Sequence, residues 1–131
     1  MPFPVDKKFI EELENELGLS FPDKYKTKMT TENGGEIQTD EDEWTLFPFL
    51  DKSDNKRISR TCNHIELETA NANEWDNFPA DAVAIGENDL GDLLILLPDK
   101  NVIGKLTDNI FVWLHETGEI YELAENINSI E

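Results

Sequence analysis

The sequence predicts an α+β fold: N-terminal helices packed against a mainly antiparallel, twisted β-sheet, in a single domain spanning residues 1–131. Three observations carry that reading. Residues 5–17, VDKKFIEELENEL, repeat apolar side chains at helical spacing, and a second helical segment follows directly. After Asn33-Gly34-Gly35 the period shortens to that of strands, and short β-branched and aromatic runs alternate with turn residues. Helices come first and strands after, the order of an α+β domain, and 131 residues suffice for one hydrophobic core.

The first helix places Val5, Phe9, Ile10, Leu13 and Leu17 on one stripe, with Gly18 as its C-terminal stop. Lys7 and Lys8 sit in its first turns and Glu11 to Glu16 later, the reverse of the dipole preference, so packing must hold it. In the second helix Pro22 suits the first turn, Tyr25 and Met29 share a face, and Asn33-Gly34-Gly35 ends it. EIQ and EWTLFPF read as two short strands about the acidic turn TDEDE, with Trp44, Leu46 and Phe49 as inward candidates. Residues 51–78 are the least readable. DKSDNKR is loop-like, whereas ISRTCNHIELETANANEW suits a helix using Ile58, Cys62, Ile65 and Ala72. DAVAIG, DLLILL, IFVWLHE and, after the turn TGE, IYELA then form an antiparallel meander. DLLILL has no alternation and is expected in the middle of the sheet, covered on both faces. The tail ENINSIE is expected to close as a short helix.

Composition excludes several functions. No run approaches the roughly 18 apolar residues of a membrane span. The start, MPFPVDKKFI, carries charge where a secretion signal is apolar, so a cytoplasmic location is expected. The lone Cys62 suits a reducing compartment and is expected as a buried or half-buried side chain, not a nucleophile. Twenty-nine acids against 11 bases give a net charge of −18. The charge is uneven: residues 1–30 hold six acids and five lysines, leaving 23 acids against six bases in residues 31–131, a net of −17. Such a surface repels nucleic-acid phosphates and anionic lipid, so neither is an expected partner. A basic protein would be attracted, less so as salt rises, with solubility alone as the plainer reading of the charge.

Acids this abundant invite a metal. In IGENDLGDLLIL, however, an EF-hand register with Gly91 at its sixth position puts Gly86 and Leu90 where oxygen ligands are required. A register starting at Asp51 puts Lys56 and Cys62 at the glycine and glutamate positions. A looser divalent site at Glu87, Asp89 and Asp92 remains as a minor alternative. Cys62-Asn63-His64 and the distant His115 match no zinc spacing. Neither a nucleophile elbow nor a glycine-rich phosphate loop occurs. The reading is no catalytic residue, no metal ligand and no cofactor, with a small carboxylate-based or metal-dependent hydrolase the weakest alternative. IGENDLGDLLIL becomes a hairpin whose loop is Glu87 to Gly91, Gly91 taking positive φ and Asp92 bonding turn amides. Trp44, Trp113 and Tyr121 read as core. Trp75 reads as a cap on the core edge, with an exposed partner anchor as the alternative.

Several pieces then fall into one order: an amphipathic helix, Leu19-x-Phe21-Pro22-x-x-Tyr25, Asn33-Gly34-Gly35, and a Trp/Leu-rich strand. After a variable middle come Phe78-Pro79, Ile85-Gly86 … Gly91-Asp92-Leu93, and a late Val112-Trp113 hairpin. From about residue 5 to 125 this resembles the SUKH superfamily, in particular the branch typified by the yeast cell-wall assembly regulator. The resemblance implies an α+β SUKH-like domain and a non-enzymatic protein-binding module. Many bacterial members look like immunity proteins that neutralise polymorphic toxins, often nucleases, and eukaryotic relatives act as interaction modules. Carried over, Phe21, Pro22, Tyr25, Gly34, Gly35, Gly86, Gly91 and Asp92 imply fold and no catalytic site. The expected function is therefore binding of a cognate, basic toxin domain through the acidic surface, with a general scaffold module as the alternative. Candidate contacts are Glu41, Asp42 and Glu43 in one turn, Trp75 with Asp76, and Glu87 and Asp89.

Overall fold

The computed structural model describes residues 4–39, 43–75 and 77–129. In chain order the elements are α1 (Lys7–Leu17), α2 (Asp23–Thr31), β1 (Gly35–Gln38), β2 (Glu43–Leu46), α3 (Asn55–Arg60) and α4 (Ile65–Ala72). They continue as β3 (Val83–Glu87), β4 (Leu93–Leu96), β5 (Ile110–Trp113), β6 (Ile120–Ala124) and a closing 3-10 turn at Ile127–Ser129. The strands form one six-stranded sheet in sequential order β1 to β6, every neighbour antiparallel, so the α+β meander is as the sequence predicts.

Both N-terminal helices are held by packing and by caps. Asp6 caps α1 by accepting from the Lys8 amide, and Gly18 ends it at φ 68°, in the left-handed region. Phe9, Ile10 and Leu13 are its buried face. Glu14 joins α1 to the start of α2, accepting from the Phe21 amide at 2.8 Å and lying 3.3 Å from Lys26 Nζ. Tyr25 and Met29 point into the core. Pro22 stands at the N-cap of α2, one residue before the expected first turn. An aromatic cluster of Phe21, Tyr25 and Phe49, with Phe21 and Phe49 edge-to-face at 5.1 Å, fixes α2 against the chain after β2. Asn33, buried just beyond α2, donates to the Phe49 carbonyl at 2.9 Å and accepts from the Phe49 amide at 2.8 Å.

Three expectations are corrected. The stretch read as one helix divides into α3 and α4. Thr61 ends α3, its hydroxyl donating to the Arg57 carbonyl and accepting from the Asp51 amide, and His64 starts α4 by accepting from the Leu67 amide. Ile65 and Ala72 are buried as expected, but Ile58 and Cys62 are exposed because the break turns them outward. Tyr121 is exposed too, since β6 is an edge strand with no neighbour on its far side.

The centre of the sheet behaves as its sequence requires. Ala84, Ile85, Leu94, Ile95 and Leu96 are fully buried, and α4 packs on β3, with Thr69 Oγ1 accepting from the Ala84 amide at 3.0 Å. Gly86 sits where β2 crosses closest, and a Cβ there would lie 2.9 Å from the Thr45 carbonyl oxygen. Among the described residues, no helix is long and apolar enough to cross a membrane.

Candidate functional site: an acidic face at the hairpin end of the sheet

Register brings the acidic side chains together. Glu36 pairs with Thr45 across β1–β2, and Thr45 pairs with Glu87 across β2–β3. Residues paired in register share a face, so Glu36, Thr45 and Glu87 lie on the side opposite the buried Trp44 and Leu46. Glu43 lies diagonally from Glu36, close enough for their carboxyls to share a hydrogen bond. That bond, together with the charge of Glu36 and a weaker effect from Asp89, pushes the Glu43 carboxyl above the ordinary carboxylate range. Glu87 is raised as well, first by burial, then by the charges of Glu68 on α4 and of Asp89. Five carboxylates from four elements and a loop therefore repel one another across one surface.

Next to them the β3–β4 hairpin is locked to the β5–β6 turn. Asn88, buried in the loop, accepts from the amides of Leu90 and Asp92, both at 3.0 Å. That is the role expected of Asp92. Asp92 instead faces across the sheet, its Oδ1 lying 2.7 Å from His115 Nδ1 and accepting from the His115 amide at 3.2 Å. Asn88 Nδ2 donates to its other oxygen at 3.3 Å. Burial alone would raise the Asp92 carboxyl; the bonds from His115 and Asn88 outweigh it and hold the group below its ordinary value. Gly91 has φ 96°, the positive value expected, and a Cβ there would lie 3.5 Å from the His115 ring.

Trp75 completes this end. It follows α4, stands edge-to-face to both Trp113 and His115 at 6.1 Å, and is 53% exposed. Trp75 thus covers the edge of the core, as expected of a cap, while it presents a face to solvent. Beneath it Trp113 is buried, donating from its ring to the Asn77 carbonyl at 3.1 Å. Leu90, at the tip of the neighbouring hairpin, is 69% exposed. No lysine or arginine occurs between residues 61 and 99, or after Lys105, so α4 and the last four strands carry no lysine or arginine side chain.

Of the residues singled out in the sequence, Glu43, Glu87 and Asp89 are brought together here, with Trp75 beside the same hairpin. Glu41, Asp42 and Asp76 lie outside the described residues. Sequence pattern does not single out Glu36, Glu68 or Leu90, although the outward positions of EIQ, read at period two, contain the signal for Glu36. Among the described residues no group of three or more His, Cys, Asp or Glu side chains is placed to hold a metal ion, and Asp92 is turned away from Glu87 and Asp89 toward His115. A groove of about 550 Å³, which Glu36 also lines, lies between α2, β1 and the C-terminal turn, where Lys28 is held by the carbonyls of Glu32 and Gly34. Burial lowers the Lys28 ammonium from its ordinary value.

No curated relative matches this sequence. The model of the SMI1 / KNR4 family (SUKH-1) matches residues 4–130, which takes in both N-terminal helices, the whole meander and the acidic face. SUKH domains are in general non-catalytic regulator and immunity modules that bind protein partners, toxins among them. With the match running from before α1 to the closing turn, the chain belongs to the SMI1 / KNR4 (SUKH-1) family of the SUKH superfamily.

Proposed function

We propose that this chain is a non-enzymatic immunity protein that binds a cognate polymorphic toxin and neutralises it by covering a basic surface. The observation that carries the reading is the conjunction of SUKH membership with a surface on which the acids Glu36, Glu43, Glu87 and Asp89 are gathered closely enough to raise one another's pKa. Carboxylates that raise one another's pKa store repulsion, and an approaching lysine or arginine removes it. A nuclease domain, basic where it meets phosphate, is the fitting class of toxin. An acidic face laid over such a site also competes with its substrate.

Co-expression with the toxin encoded beside this chain tests the proposal. Growth is expected to be restored and a stable complex recovered; if no neighbouring product is bound or neutralised, the reading is wrong. A general interaction module without a toxin partner is the second reading, favoured by the exposed Trp75 and Leu90, which suit an apolar contact. It predicts partners recovered from unstressed cells and binding that is less sensitive to salt.

A further inference from the structure

Exposed apolar side chains occur at both ends of the sheet, and their electrostatic settings are opposite. At one end Val102 and the fully exposed Ile103 sit in the β4–β5 connection between Lys100 and Lys105. At the other end Trp75 stands against His115, whose ring also borders Gly91, the residue after the exposed Leu90, and the segments that carry them hold Glu74, Glu87 and Asp89 with no lysine or arginine between residues 61 and 99. This second patch is also rigid by construction. Asn88 fixes the hairpin loop, Asp92 ties that hairpin to the next turn, and Trp113 supports the Trp75 ring. A preorganised aromatic side chain with an apolar neighbour and a charged rim has the anatomy of a binding hot spot.

We propose that this end of the sheet docks a basic protein segment, seating one of its apolar side chains between Trp75 and Leu90 while its lysines or arginines meet Glu74, Glu87 and Asp89. The inference rests on the reading of the chain as a binder of a basic protein and adds the place and the chemistry of contact. Charge complementarity chooses the occupant. A second copy of this chain, at net −18, is repelled overall, even though its own loop from Lys100 to Lys105 pairs lysines with the exposed Val102 and Ile103, and an acidic or anionic-lipid surface brings like charge to every carboxylate on the rim. The apolar seat gives the contact a component that salt does not screen, so binding weakens as ionic strength rises without vanishing.

Site-specific photo-crosslinking in the native cell tests this. The full chain carries p-benzoylphenylalanine in place of Leu90, or in place of Ile103 as the control. Leu90 is expected to yield an adduct whose partner peptide combines lysine or arginine with an apolar residue, and Ile103 none. The partner so identified is then titrated against three variants. Trp75→Ala is expected to weaken binding by about tenfold or more and Leu90→Ser by several-fold, with Ile103→Ser unchanged. Leu90→Ser guards against loss of fold in Trp75→Ala, since the Leu90 side chain is mostly exposed. An adduct at Leu90 to a second copy or to an acidic peptide overturns the inference. So does a partner that binds all three variants like the parent, and in that case the broader reading stands. If the intact chain binds no basic protein at all, the broader reading falls, and this face falls with it.

Discussion

Removing the Asp92 carboxylate by Asp92→Ala tests whether the acidic face is held by the lock between its two hairpins. The substitution deletes contacts from the carboxylate to the His115 ring at 2.7 Å, the His115 amide at 3.2 Å and the Asn88 amide group at 3.3 Å. A hydrogen bond to a charged group contributes roughly 1.5–3 kcal/mol, and these are only partly buried and share oxygens, so the sum is discounted to about 2–3 kcal/mol. In a domain of this size that corresponds to a fall in melting temperature of roughly 6–15 °C at neutral pH. The pH dependence has a definite sign. The folded carboxyl is held below its ordinary value, so its stabilisation is complete above the unfolded value of about 3.9 and is lost as pH falls through the lower folded value. Thermal unfolding of parent and variant should therefore converge as pH drops below about 4. In the Asp92→Ala background, His115→Ala should cost far less than it does alone, as coupled neighbours require. A difference at neutral pH under about 1 kcal/mol, or one unchanged at acid pH, would refute the lock.

Other substitutions probe the frame behind the face. Asn33→Ala strands the buried amide and carbonyl of Phe49 and should cost about 2–4 kcal/mol in chemical denaturation; a cost under about 1 would mean that this clamp does not join α2 to the sheet. Tyr25→Phe should be neutral or stabilising by up to about 1 kcal/mol, because the buried hydroxyl has no hydrogen-bond partner among the described residues, and a clear loss of stability would show that it has one. Gly86→Ala drives a Cβ to within 2.9 Å of the Thr45 carbonyl oxygen and should cost about 1–3 kcal/mol by forcing β2 and β3 apart, with an unchanged melting temperature as the contrary result.

Much of the frame is legible from local pattern. The stripe Val5, Phe9, Ile10, Leu13 and the unbroken run Leu94–Leu96 are buried because helical spacing and the absence of alternation each have one economical packing. Where the pattern misleads, a local hydrogen bond or an edge intervenes. Thr61 and His64 divide a plausible long helix through side-chain bonds that apolar periodicity does not register. Tyr121 has the residue type of a core strand but lies on the last one. The acidic face is half legible in the sequence. Glu43, Glu87 and Asp89 stand out as acids near turns, whereas Glu36 and Glu68 join them only through strand register and the seating of α4 on β3. Local pattern places Asp92 in its own hairpin because its partner, His115, is 23 residues away, and the neighbouring Asn88 takes the local role.

A salt titration of the partner's affinity tests the acidic face as a binding surface most directly. The immobilised full chain captures its partner from native lysate, and the dissociation constant of the purified pair is measured from about 0.1 M to about 1 M salt, across which the screening length shortens from about 10 to about 3 Å. The prediction is a basic protein whose toxicity is suppressed in the complex and whose affinity falls at least tenfold over that range. A partner that is neutral or acidic, or an affinity that does not respond to salt, would contradict it.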